Sequence, residues 1–286
     1  MSLFIIGISI SMILFLLASG LTLIFGVLRM VNFSHGAIYM IGAYVGYQIF
    51  QWSGNFWLAL ALTPICVGIL GAIIEFFLMR PIYKYNTHSF ELMIQIGVIY
   101  VLIDLVRILW GDDYLLFLKP VQLRETIEVL GVNLDPYRLF IICLSLLLAL
   151  VLFWGLEKTS LGIAVRATSS NPSMAECLGI NVAVLRTSVF GFGSALAAIG
   201  GVVAAAIYPI DSHMGDHILV DCFIVVILGG LGNIHGAIVG SLIIGMTRAY
   251  GQYYFSDSVN ILTFGIFIVT LLFLPEGIFN RRGRKA

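Results

Sequence analysis

The sequence predicts an all-α, polytopic integral membrane protein, and three observations carry that prediction. Of 286 residues, 60% are hydrophobic and only 10% charged, with a mean hydropathy of +1.05, more apolar surface than a soluble core of this length hides. Several apolar runs reach the ~17–25 residues that a helix needs to cross a bilayer's hydrocarbon layer. Runs such as 140–153 are continuously apolar rather than alternating, which argues against a transmembrane β-barrel.

Taken in chain order, the expected spans are 3–28, 37–50, 56–79, 92–110, 137–156, 182–207, 218–228, 237–250 and 259–274. The first begins within MSLFIIGISI, which has no basic leader and runs on without a small-residue cleavage site, so it reads as a retained span. The stretches 37–50, 218–228 and 237–250 are too short to cross alone as straight apolar helices. Each abuts a cluster of Gly, Asn or His and continues in broken or re-entrant form. The span 92–110 carries Asp104 and Arg107, three apart on one helix, which is ion-pair spacing. The remaining runs are long enough by themselves, so about eight or nine crossings are expected within one transmembrane domain covering 1–286.

Formal net charge is +0, from 15 basic and 15 acidic residues, which gives no argument for nucleic acid as a partner. The placement of the charge is more telling. With the polar segment 157–186 set in the cytoplasm, the inner segments hold Arg29, Arg80, Lys84, Lys158, Arg166, Arg186, Arg281, Arg282, Arg284 and Lys285. The outer loops hold only Lys119 and Arg124, while Arg107, Arg138 and Arg248 sit near outer span ends. Positive segments resist translocation. The expected topology is therefore an external amino terminus, a cytoplasmic basic tail, and 111–135 as the largest external loop.

The segment 157–186 holds a short helix with both ends specified. Asn171 caps it, Pro172 suits the first helical position, and Gly179 suits a left-handed exit. Met174 and Leu178 share one face and Glu176 points elsewhere, so the helix lies either in a protein groove or along lipid headgroups.

The string LGIAVRATSSNPSMAECLGIN at 161–181 resembles the cytoplasmic segment of permease subunits in branched-chain amino acid ABC importers, the LivH-like branch. VNFSHGAIYMIGAY at 31–44, LGGLGNIHGAIVGSLIIG at 228–245 and LPEGIF at 274–279 resemble that family's other motifs, in matching order. The resemblance implies a type II importer-like permease of a bacterial cytoplasmic (inner) membrane. It also implies a second homologous permease, two cytoplasmic ATPase subunits that bind ATP and Mg, and an extracytoplasmic solute-binding protein. Arg166, Asn171, Pro172, Glu176 and Gly179 would form the coupling segment seated in an ATPase. Branched-chain amino acids are the first implied substrate, with urea, short amides and aromatic acids as alternatives within the same broad family.

The candidate pathway residues are Asn32, Ser34, His35, Gln95, Asn233 and His235, the tetrapeptide HGAI occurring at both 35–38 and 235–238. A polar break in an apolar run is tolerated only inside protein or beside a watery cavity. Two readings therefore stand for Asn32, His35, Asn233 and His235: a substrate pathway, or hydrogen-bonded ties between helices. For Gly229, Gly230, Gly232, Gly236, Gly240 and Gly245 close helix packing is the favoured role.

No chemistry is expected on the chain. It has no GxxxxGK[ST], GxSxG or HExxH pattern. Cys66, Cys143, Cys177 and Cys222 are scattered, and His213 and His217 lack a third ligand, so no cofactor or metal is expected. The competing function from another class is a stand-alone secondary transporter or channel with Asp104, His35 and His235 as a proton route.

Overall fold

The computed structural model describes residues 2–84, 88–129, 132–274 and 277–279. The basic tail Arg281, Arg282, Arg284 and Lys285, together with Pro275 and Glu276, lies outside them. The described residues form α1 (Ser2–Leu28), α2 (His35–Ser53), α3 (Phe56–Ile74), α4 (His88–Trp110), α5 (Pro136–Lys158), α6 (Ser160–Ser170), α7 (Pro172–Cys177), α8 (Val182–Ala205), α9 (Met214–Gly229), α10 (Ile234–Tyr254) and α11 (Val259–Phe273). A small antiparallel hairpin, β1 (Ile127–Val129) and β2 (Val132–Leu134), ornaments the long loop after α4.

Positive φ at Arg29 marks the break between α1 and α2, and at Gly230 and Gly232 the break between α9 and α10. The short stretches of the sequence are thereby extended. The run 37–50 becomes the 19-residue α2, and 237–250 the 21-residue α10, because the polar residues ahead of each run start its helix. Among the described residues six helical segments are long and apolar enough to cross a membrane; α2, α9 and α10 run among them.

α1 is apolar around its whole circumference and is buried from Ser11 through Ile24, as an all-round hydrophobic helix must be. Its serines turn inward onto their own helix: Ser9, Ser11 and Ser19 donate to carbonyls three or four residues back. Around it pack α8, α9, α10 and α5, while α2 fills the angle between α8, α3 and α9. α4, α5 and α11 carry most of their apolar surface outward.

Small residues bring these helices together. A Cβ built at Gly236 would stand 1.9 Å from the Gly229 carbonyl oxygen, and one at Gly20 would stand 2.5 Å from that of Gly193. At such crossings only glycine lets backbone meet backbone, the usual device where water supplies no hydrophobic drive between helices. The packing reading of Gly229, Gly236, Gly240 and Gly245 describes what they do.

Two carboxylates are held inside the protein. Glu75 is fully buried where α3 passes into a π turn (Glu75–Met79), accepting hydrogen bonds from the hydroxyls of Tyr83 (3.1 Å) and Thr187. The widened turn rotates the carboxylate toward α8, and the two donors offset its desolvation. Asp221 is buried on α9 and pairs with Arg248 of α10, whose guanidinium also reaches Asn260.

The glycine crossing yields the first prediction. Gly236→Val forces α9 and α10 apart and lowers stability by about 1–3 kcal/mol, read as a lower melting temperature in detergent. Gly97→Ala, inside α4 with open space around it, does not lower the melting temperature, since alanine favours the helix there.

Candidate functional site

The residues from 157 to 186 run from the end of α5 through α6 and α7 to the start of α8, joined by three capped corners. Thr159 accepts a hydrogen bond from the Gly162 amide (3.1 Å) to start α6. At the next corner the Asn171 amide closes α6 on the Ala167 carbonyl (3.0 Å), and its side chain opens α7 by accepting from the Met174 amide (3.1 Å). Pro172 sits at the first turn of α7, where its missing N–H leaves no gap.

The exit of α7 is as well defined. Gly179 has φ +86°. Its amide reaches the Glu176 carbonyl (2.9 Å) and the Ile180 amide reaches that of Ala175 (3.1 Å), the paired bonds of a Schellman motif. Asn181 then caps α8 through the Val184 amide (3.1 Å). The whole turn is rigid by hydrogen bonding, yet its apolar side chains are not covered: Met174 is 58% and Leu178 74% exposed, and Glu176 and Cys177 beside them are exposed too. Only Ala175 is turned inward. Arg166, on α6, is exposed.

This element rests on the end of α1. One guanidinium nitrogen of Arg29 donates to the carbonyls of both Ser169 and Ser170, each at 2.7 Å. Arg29 entered the sequence reading only as a positive charge; its position just after an unbroken apolar helix was the available signal for a capping role.

Asn32, Ser34, His35 and Gln95 are brought together, all buried, at the break between α1 and α2. Asn32 Oδ1 accepts from the Ser34 amide (3.1 Å) and hydroxyl (2.6 Å), and Gln95 Oε1 on α4 accepts from the Phe33 amide (2.7 Å). His35 Nε2 meets the Leu17 carbonyl of α1 at 3.0 Å. These side chains stand in for helical partners that the broken backbone lacks. Asn32 Nδ2, His35 Nδ1 and Thr22 Oγ1 are buried without a hydrogen-bond partner among the described residues.

Asn233 and His235 lie apart from that cluster. Asn233 caps α10, accepting from the amides of His235 (3.0 Å) and Gly236 (3.3 Å), and donates to the Phe279 carbonyl (2.9 Å). The Ile278 amide adds a bond to the Leu228 carbonyl (2.8 Å), so the terminal motif closes over the glycine-rich one. His235 is exposed, stacked on Phe153 at 4.6 Å and 3.5 Å from Glu157. The two HGAI copies thus share a helix-starting role but not an environment, and Asp104, His35 and His235 do not form a continuous proton route. Asp104 is largely exposed near the far end of α4.

The opposite face is clasped. The loop after α4 pairs with residues before α9 through a bridge between Leu115 and Ile210. Beside it Arg107 reaches Asp112 (3.2 Å), Ser212 (3.3 Å) and His213 (2.8 Å), while Asp104 is only at 4.0 Å. The sequence paired Arg107 with Asp104; the better-placed partner is Asp112. The Ser212 hydroxyl, and after it the Arg107 charge, hold the Asp112 carboxyl below its ordinary range.

Among the described residues no three His, Cys, Asp or Glu side chains converge as for a metal ion. The family described as "Branched-chain amino acid transport system / permease component" matches residues 3–274. The permease protein LivH of a high-affinity branched-chain amino acid transport system in Salmonella typhimurium is 29% identical, over 93% of this chain and 91% of its own. A probable branched-chain amino acid transport permease protein LivH from Methanocaldococcus jannaschii is 31% identical, over 94% and 89%. An autoinducer 2 import system permease protein LsrC from Salmonella paratyphi B is 29% identical over 50% of this chain and 42% of its own. No solved structure matches the chain.

The clasp predicts an acid-sensitive loop. Because the Asp112 pKa is lowered by folding, its contribution is complete above the ordinary carboxylate value, about 4, and is lost as pH falls through the folded value. Protection factors in 206–213, taken relative to the intrinsic exchange rate at each pH, therefore fall on acidification in the native chain. In Asp112→Asn they are low already at neutral pH and change little with acid.

Proposed function

The chain belongs to the branched-chain amino acid transport system permease family, and on that premise we propose that it carries branched-chain or other hydrophobic amino acids inward, with α7 as the helix that takes up the motion of an ATPase. It is a multi-pass membrane protein and the non-catalytic permease subunit of an ABC importer. Such an importer works with ATPase and binding-protein partners, and ATP is bound by the ATPase rather than by this chain.

In the proposed assembly two homologous permeases pair in a bacterial cytoplasmic membrane, two ATPases dock on the face that bears α7, and the binding protein delivers substrate to the clasped face. The amino terminus is then external and the C-terminus cytoplasmic, in agreement with the placement of Lys and Arg. The observation that carries the reading is α7 itself: a helix capped at both ends, held rigid, and presenting Met174, Glu176 and Leu178 uncovered. A rigid helix with exposed apolar side chains transmits a push without absorbing it, and nucleotide-driven closure of the ATPases would switch the pathway between outward and inward access.

The buried state of Asn32, Ser34, His35 and Gln95 supports a role in shaping the α1–α2 break beside the pathway rather than in contacting substrate directly. The apolar, sparsely polar character of the spans suits a small zwitterion with a hydrophobic side chain.

Two measurements test this reading. Glu176→Ala, in the complete complex in liposomes, is expected to lower transport-linked ATP hydrolysis by roughly two- to tenfold with membrane insertion unchanged; an unaltered rate counts against α7 as the coupling helix. The binding protein that works with this permease is expected to bind leucine and not urea in calorimetry. Tight urea binding without leucine binding would overturn the substrate assignment.

A further inference from the structure

We propose that Arg29 is the positioning residue that passes the movement of α7 into the transmembrane core. The inference rests on the reading of α7 as the coupling helix. Arg29 follows the last residue of α1 and holds φ at +56°, the one non-glycine residue with positive φ among those described. Its amide caps α1 on the Phe25 carbonyl (2.8 Å). The backbone reversal aims the side chain away from its own helix, and both bonds of its Nη2 fall on the C-terminal carbonyls of α6, Ser169 and Ser170. A cation there meets the negative end of α6 and satisfies two carbonyls that have no helical donor.

The location matters more than the bonds. Ser170 is followed directly by Asn171, the cap of α7. Three residues beyond Arg29 begins the Asn32–Ser34 turn that starts α2, and Phe33 of that turn is tied to Gln95 on α4. A shift of the α6–α7 corner thus reaches the end of α1, the start of α2 and the side of α4 through one guanidinium. His35, pinned to the Leu17 carbonyl, makes the start of α2 follow α1 as one piece.

The test uses the whole importer in liposomes, with ATP hydrolysis measured with and without the leucine-loaded binding protein. Arg29→Gly is the decisive variant, since glycine keeps the left-handed backbone without strain and removes only the side chain. Its ratio of stimulated to unstimulated hydrolysis is expected to fall about two- to tenfold, with ATPase subunits retained on purification as in the native complex. Arg29→Lys, which keeps the charge at the end of α6, is expected to recover part of that ratio. An unchanged ratio in Arg29→Gly overturns the proposal. So does loss of bound ATPase in proportion to the lost stimulation, which would make Arg29 a docking residue. Glu176→Ala is run in parallel: if it lowers the ratio and Arg29→Gly does not, only the role of Arg29 falls, whereas if neither lowers it the reading of α7 itself is wrong.

Discussion

Every peptide group within the membrane must find a hydrogen-bond partner inside the protein, and the rest of this structure follows from how two interruptions meet that demand. Unbroken helices satisfy themselves. At the α1–α2 and α9–α10 breaks the backbone has to borrow partners, and it borrows them from Asn32, Gln95 and Asn233. Once those side chains are committed to the backbone, the neighbouring helices must come close enough to exclude lipid. That closeness is available only where residues are small, as at Gly20 against Gly193 and Gly229 against Gly236.

The spans were legible because long apolar runs have one solution in a bilayer. The polar segment was legible in finer detail: Asn171, Pro172 and Gly179 each have a local, mechanical reason for their position, and local rules survive into the folded state. What the sequence did not expose was which polar residues share a neighbourhood. The duplicated HGAI grouped His35 with His235, yet one lies against the Leu17 carbonyl and the other on Phe153. Nothing in a tetrapeptide encodes the helices packed around it.

Glu75 and Asp221 illustrate the same limit from the energetic side. Near a span end a carboxylate has the choice of water, headgroups or an internal partner, and the sequence spacing of 27 residues between Asp221 and Arg248 hides the one it took. Glu75 found hydroxyls from two different elements, Tyr83 after its π turn and Thr187 on α8. Arg107 meets a loop aspartate rather than the one on its own helix because the loop, bridged to the residues before α9, brings Asp112 to 3.2 Å, whereas helical spacing holds Asp104 at the limit of contact.

The closure of the α9–α10 turn by Ile278 and Phe279 carries a consequence for biosynthesis. Asn233 emerges from the ribosome well before its acceptor, the carbonyl of a residue 46 positions later. Until α11 has been threaded into the bilayer, the glycine-rich turn is an unfinished joint, and the hairpin it connects is held by its glycine crossing and the Asp221–Arg248 pair without the terminal tie. Completion of the last helix is thus also the act that locks an earlier one, which gives this permease an intrinsic order of assembly running from its buried first helix to its terminal motif.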